Sequence, residues 1–139
     1  MIQELFLVAD ASFEAQHYQD ALKSYQYIAY QAPVTNENSD KLRQEAAYAS
    51  TVTVREILSM VAKESGKENW QIIRDQLDQT FIEHYPNDER SLTLAVQQAQ
   101  FAFASDNSKT LQYYCDYILQ RHGVIADFND TSSLGSAIE

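Results

Sequence analysis

The chain has 139 residues, enough for one ordinary domain with its own hydrophobic core and too few for two of average size. Twenty acidic residues against ten basic ones give a net charge of −10, which disfavours direct binding to the phosphate backbone of nucleic acids. Three glycines and two prolines are few for a sheet with many turns, so the composition predicts an all-α fold of long helices joined by short polar loops.

The sequence contains no feature of a secreted or membrane-spanning protein. The first residues, MIQELFLVADASFEA, lack the basic segment that opens a signal peptide. No stretch approaches the ~18 apolar residues that a membrane span needs. A single cysteine, Cys115, cannot form an internal disulfide bond. We therefore expect a cytoplasmic protein with neither a membrane nor a nucleic acid as its partner.

Apolar spacing predicts two amphipathic helices in the first 33 residues. The first helix spans residues 2–16, with apolar residues at intervals of three and four: Ile2, Leu5, Phe6, Ala9 and Phe13. A tight turn at Gln16 and His17 leads to a second stripe, formed by Tyr18, Ala21, Leu22, Tyr25, Ile28 and Ala29. Pro33 ends this helix. Two amphipathic helices joined this closely form an antiparallel hairpin.

The next segment predicts a long third helix. Residues 34–39 form a polar loop in which Asn38 or Ser39 caps a helix that runs from residue 40 to about residue 64. The β-branched residues 51–54 weaken helix propensity, but the helical period continues through them. We therefore predict one unbroken helix.

The fourth helix is bounded by a glycine and a proline. Gly66 is expected to adopt the left-handed conformation that ends the preceding helix. Residues 68–85 then form a helix that stops at Pro86. Its predicted apolar face consists of Trp70, Ile73, Leu77, Phe81 and His84.

Two more helices complete the predicted domain. Asn87 is expected to cap the fifth helix, whose predicted apolar stripe consists of Leu92, Ala95, Val96, Ala99 and Phe103. Residues 105–108 form a turn, and the sixth helix continues to about His122, with Gly123 as its terminating residue.

The first hairpin resembles a tetratricopeptide (TPR) repeat. Ala9 stands where the family has a small residue on its first helix, and Tyr18, Ala21, Tyr25 and Pro33 follow at the family's spacing on the second. The later hairpins match only in part, and their ends do not keep the family's period of about 34 residues. The resemblance implies three antiparallel hairpins stacked as a right-handed superhelix; the alternative is an irregular helical bundle.

The predicted organisation is a single TPR-like domain over residues 1–128, followed by a flexible tail at residues 129–139 that lacks periodicity. Catalytic constellations are scarce in it, and its many carboxylates are expected on solvated helix faces. Cys115 lies on the apolar stripe of the sixth helix, where we expect a small buried hydrophobe. The three histidines lack metal-ligand spacing, and no glycine-rich phosphate loop is present. We therefore predict a non-enzymatic protein with no cofactor and no metal site.

In the TPR family, ligands bind along a concave surface formed by the first helix of each hairpin. For this chain the resemblance implies these candidate partner-binding residues: Phe6, Asp10, Phe13, Glu14, Tyr48, Gln97 and Phe103. Their acidic, amide and aromatic groups suit a peptide with some basic character. The alternative for Phe6 and Phe13 is a place in the core.

Tyrosines outside the apolar stripes provide a second set of candidates. Tyr27 and Tyr30 are expected to pack between successive hairpins. No hairpin follows the sixth helix, so Tyr113 and Tyr117 require another cover: the segment 124–128, a second subunit or a ligand.

Two functions follow from this pattern. The first is an adaptor or chaperone-like module that binds a peptide or protein segment. The alternative is a self-associating structural or regulatory subunit that forms a homodimer through its terminal helix.

Overall fold

A computed structural model of the chain describes residues 2–33, 37–61 and 66–123, and within these ranges it contains six α-helices and no strand. The helices are α1 (Ile2–Glu14), α2 (Tyr18–Tyr30), α3 (Glu37–Met60), α4 (Lys67–His84), α5 (Glu89–Ala104) and α6 (Ser108–Arg121). The predicted all-α class is confirmed. The segment 124–128 and the predicted tail at 129–139 lie outside the described residues.

The helices form two compact units, residues 1–81 and residues 82–139. The first unit contains α1, α2, α3 and most of α4, and the second contains the last residues of α4 together with α5 and α6. The single domain over residues 1–128 stays a prediction. None of the helices in the described part of the chain is long and apolar enough to cross a lipid bilayer.

The core of the first unit is formed where α2, α3 and α4 meet. Leu22 of α2, Val54 and Ile57 of α3, and Leu77 of α4 form one buried cluster. Burying a side chain of this size contributes about 1.5–3 kcal/mol to stability. The cluster therefore joins three consecutive helices in one core.

Tyr27 and Tyr30 differ in their environments. Tyr30 is half-buried and packs against the core cluster of the first unit, as expected for a residue between helices. Tyr27 leaves 43% of its surface exposed, so the prediction that it belongs to the core is wrong. Residues three positions apart differ in direction by about 60° around a helix, so Tyr27 lies beside Tyr30 but closer to the solvent-exposed side of α2.

Both hairpin turns use the same hydrogen-bond pattern. In the turn after α1, Gln16 has a φ of 65°, and its N–H donates to Phe13 O while the N–H of His17 donates to Ser12 O. In the turn after α5, Asp106 has a φ of 57° and Asn107 N–H donates to Ala102 O. This is the Schellman arrangement, in which a left-handed residue satisfies the last carbonyls of the helix. It allows the short, direct reversal that the sequence predicted.

The third helix begins earlier than predicted. It starts at Glu37, so Asn38 and Ser39 lie inside the helix and the prediction that either caps it is wrong. Ser39 is buried at the third position of the helix.

The β-branched segment of α3 remains helical, as predicted. Thr51 Oγ1 donates to Tyr48 O and Thr53 Oγ1 donates to Ala49 O, each at 2.7 Å. These bonds satisfy the hydroxyl groups within the helix itself, so both threonines can be buried. The left-handed conformation predicted for Gly66, with a φ of 76°, is also confirmed.

The fifth helix buries a different face from the one predicted. Its buried residues are Ser91, Leu94, Ala95, Gln98 and Ala102. Val96 is 40% exposed and Phe103 is 76% exposed, so their assignment to the core stripe is wrong. Apolar residues lie on both faces of this helix, and spacing alone therefore does not identify the buried one.

The N-terminus of α5 is capped by Asp88 and not by Asn87. The Asp88 carboxylate accepts a hydrogen bond of 2.8 Å from the backbone N–H of Arg90. A carboxylate here also interacts favourably with the positive end of the helix dipole. His84 is exposed, so the buried face of α4 does not extend to it as predicted.

Candidate functional site

The predicted partner-binding residues of α1 combine packing with partial exposure. The Phe6 ring lies edge-on to Tyr25 with a centroid distance of 5.8 Å, and the Phe13 ring lies edge-on to Tyr18 at 5.1 Å. Both phenylalanines are half-buried. They stabilise the first hairpin, as the core alternative expected, and part of each side chain stays accessible.

Two of the three acidic residues of α1, Asp10 and Glu14, lie one helical turn apart on the same side as these rings. Asp10 accepts a hydrogen bond of 2.5 Å from the Tyr25 hydroxyl, and Glu14 is exposed. Burial, together with the hydrogen bond to Asp10, raises the pKa of Tyr25 above its usual value. Asp10 is therefore held in place by the second helix of its own hairpin, and the two carboxylates make this side of α1 negative.

The raised pKa of Tyr25 makes the stability of the protein depend on alkaline pH. The unfolded chain releases this proton near pH 10, whereas the folded chain retains it. The contribution of Tyr25 is therefore complete below about pH 10 and is lost as the pH rises above it, with a slope of up to about 1.4 kcal/mol per pH unit.

We expect Tyr25→Phe to be less stable than the wild type near neutral pH, and the difference to shrink above about pH 10. Urea unfolding followed by circular dichroism across this range measures the effect. Tyr27→Phe, on the exposed side of the same helix, is the matched control and should follow the wild-type curve. A constant difference between wild type and Tyr25→Phe at every pH contradicts the prediction.

The remaining predicted partner-binding residue of the first unit, Tyr48 on α3, is also half-buried. Its ring lies edge-on to Phe81 of α4 with centroids 5.7 Å apart. Phe81 itself is fully buried. Tyr48 therefore covers the core at one edge and presents its outer edge to solvent.

In the second unit, the candidate residue with the largest exposed fraction is on α5. Phe103 leaves 76% of its surface exposed, while Gln97 is half-buried. A phenylalanine ring gains no hydrogen bond from water, so its exposure near the end of a helix leaves apolar area available for association.

The two candidate tyrosines of α6 are held by contacts that the sequence did not indicate. The Tyr117 hydroxyl donates a hydrogen bond of 2.7 Å to Pro86 O, in the segment that precedes α5. Tyr113 is 46% exposed and lies edge-on to Tyr114 with a centroid distance of 4.9 Å. Partial burial and the Glu83 carboxylate raise the pKa of Tyr113. No local spacing relates Tyr117 to Pro86, which lies 31 residues earlier.

Cys115 is half-buried on α6 and not fully buried as expected. In the described part of the chain, no group of three or more histidine, cysteine, aspartate and glutamate side chains is placed to hold a metal ion.

The structure also contains a groove that the sequence analysis did not identify. It lies between α2 and α4 in the first unit and has a volume of about 380 Å³. Leu22 and Leu77, both buried, form its floor, and Tyr30, Trp70 and Ile73, all half-buried, form apolar parts of its walls. The volume falls in the range of ~300–1,000 Å³ that is typical of binding pockets.

Polar side chains complete the walls of this groove. They are Gln19, Lys23, Gln26, Gln76 and Thr80. On α2 the lining residues recur at helical spacing beside the predicted core stripe, and this second stripe was the available signal in the sequence. Spacing alone did not show that α4 would lie opposite it.

Comparison of the chain with models of protein families, with curated proteins and with solved structures found no match.

Proposed function

We propose that this chain is a non-enzymatic protein–protein interaction module, adaptor or chaperone-like, that binds a peptide or protein segment on a TPR-like surface. The observation that carries the proposal is the exposure of Phe103, which leaves 76% of its side chain open to solvent. Large aromatic side chains are enriched at interfaces and supply much of their binding energy.

The charge of α1 supports a partner segment with basic character. Asp10 and Glu14 lie one turn apart beside the half-buried rings of Phe6 and Phe13. Opposite charges across an interface accelerate association and exclude partners of the wrong sign. A segment that presents lysine or arginine beside apolar residues fits this surface.

The test is a pull-down with the full chain, followed by peptide mapping of what is captured. We expect Phe103→Glu to weaken binding of the mapped peptide by about 30-fold, as for a central aromatic residue of an interface. Ile72→Glu is the matched control, because Ile72 is 54% exposed and lies on α4, which contributes no predicted binding residue. Since both positions are exposed, neither substitution should impair folding.

Equal capture by wild type, Phe103→Glu and a Tyr113→Glu variant would show that the proposed surface is wrong. A mapped peptide whose binding is insensitive to exchange of its basic residues would remove the charge argument.

The alternative is a structural or regulatory subunit that forms a homodimer through α6. Tyr113, 46% exposed, and half-buried Tyr117 lie one turn apart and give this helix an aromatic face. Size-exclusion chromatography with light scattering tests this alternative. A strict monomer at high micromolar concentration rejects it, and a dimer that Tyr113→Glu dissociates supports it.

We also propose a cytoplasmic location, since the single cysteine provides no internal disulfide bond. Fractionation of cells that express the full chain tests this location.

A further inference from the structure

We propose that the groove between α2 and α4 binds a second kind of protein segment, one with apolar side chains and an adjacent carboxylate that pairs with Lys23. This site shares no residue with the surface of the proposed function and has the opposite charge preference. The two proposals can therefore fail independently.

The depth of the groove is the first argument. Its floor consists of Leu22 and Leu77, which belong to the core cluster of the first unit. The half-buried rings of Tyr30 and Trp70 line it as well. An apolar side chain entering the groove would meet the core directly and would cover aromatic surface that is now partly exposed to water.

The amide side chains of the groove are the second argument. Gln19 and Gln26 belong to α2, and Gln76 belongs to α4, so both helices contribute an amide to the lining. Each amide offers a hydrogen-bond donor and an acceptor. This suits the alternating N–H and C=O groups of a peptide backbone, which a purely apolar small molecule does not carry.

Charge determines which peptide fits. Among the described residues that line the groove, Lys23 is the single cation and there is no carboxylate, although the chain has twice as many acidic as basic residues. Lys23 is exposed, and the structure gives it no ion-pair partner among the described residues. Asp20, the one acidic residue of α2, does not line the groove.

The net charge of −10 does not prevent an acidic segment from approaching this groove. At physiological ionic strength, charges more than ~8 Å apart are largely screened in water. Carboxylates far from the groove therefore contribute little at Lys23, whereas Asp20, three residues earlier on α2, opposes it at short range.

Trp70 makes the proposal directly measurable, because it is the one tryptophan of the chain and it lines the groove. The probes are dodecapeptides selected from a random display library on the intact chain. Each is synthesised in its selected form and with its acidic residue replaced by glutamine or lysine. Fluorescence titration of Trp70 reports occupancy of the groove.

We expect the selected peptides that shift the Trp70 emission saturably to carry aspartate or glutamate beside apolar residues. Peptides that bind the surface of the proposed function should leave this emission unchanged. Exchanging the acidic residue for lysine should weaken binding by about tenfold. Lys23→Gln should weaken binding of the acidic peptide about threefold, and Lys23→Glu about tenfold while it improves binding of the lysine-bearing peptide. Lys41 is an exposed lysine of α3 outside the groove, so Lys41→Glu is the control. It should change the affinity for neither the acidic nor the lysine-bearing peptide.

Three results would overturn the proposal: no selected peptide shifts the Trp70 emission, Lys23→Glu has no effect on the binding of those that do, or the peptides that shift the emission are mainly basic. A dimer that Lys23→Glu dissociates would assign the groove to a second copy of the chain and would also overturn it. Phe103→Glu serves as a further variant, since it should leave Trp70 titrations unchanged whether or not the proposed function is correct.

Discussion

Replacing Asp78 by alanine is expected to destabilise the first unit by about 3 kcal/mol. The Asp78 side chain on α4 is fully buried and forms two hydrogen bonds, of 2.9 and 2.7 Å, with the guanidinium group of Arg55 on α3. Arg55 remains partly exposed and also donates to Thr51 O. Removing the carboxylate takes a bidentate counter-charge from a guanidinium group that is largely buried, and this costs more than the pair contributes.

Urea unfolding followed by the fluorescence of Trp70, which lies in the first unit, measures this loss. The double variant Arg55→Met, Asp78→Leu should recover most of it, because an apolar pair of similar volume removes both desolvated charges. Asp75→Ala is the control: its pair with Arg74 is more exposed, and we expect a change within about 1 kcal/mol. A loss below about 1 kcal/mol for Asp78→Ala would contradict the prediction.

The second large effect is expected for Phe81→Ala, at about 3–5 kcal/mol. Phe81 is fully buried, and its ring supports the Tyr48 ring at a centroid distance of 5.7 Å. Alanine would remove the apolar area of the ring and leave a cavity beneath Tyr48. Because Tyr48 is a candidate binding residue, its loss of support should also weaken any ligand that contacts it.

Phe103→Ala provides a control with identical chemistry, since Phe103 is 76% exposed. Its unfolding free energy should stay within about 0.5 kcal/mol of the wild type. Parallel urea titrations of the two variants make the comparison. Similar losses at both positions would mean that the burial pattern of α4 or α5 differs from the one described.

The position and type of the helices could be predicted from local pattern. The threonine-rich segment of α3 is the hardest case, and it remains helical because its hydroxyl groups bond to carbonyls within the same helix. Such bonds depend only on residues three or four positions away. The first turn of α3 was less predictable, because the helix begins before both residues that the sequence offered as its cap.

Only part of the candidate site could be predicted from the sequence. The sequence proposed Phe103 as a binding residue on one argument and as core on another, and the structure leaves it exposed. It did not indicate the hydrogen bond from Tyr117 to Pro86 O, which joins residues 31 positions apart. The TPR resemblance remains a prediction, carried by the spacing of residues in the first hairpin.

By itself, the sequence determined an acidic all-α protein and the approximate bounds of the six helices in the described part of the chain. It could do so because helical period, caps and turns depend on neighbours within one or two turns. The tertiary structure alone decided which face α5 buries, that Asp78 meets Arg55, and that α2 and α4 enclose a groove. These features depend on which helices pack together, and a pattern local to one helix carries no information about its neighbours in space.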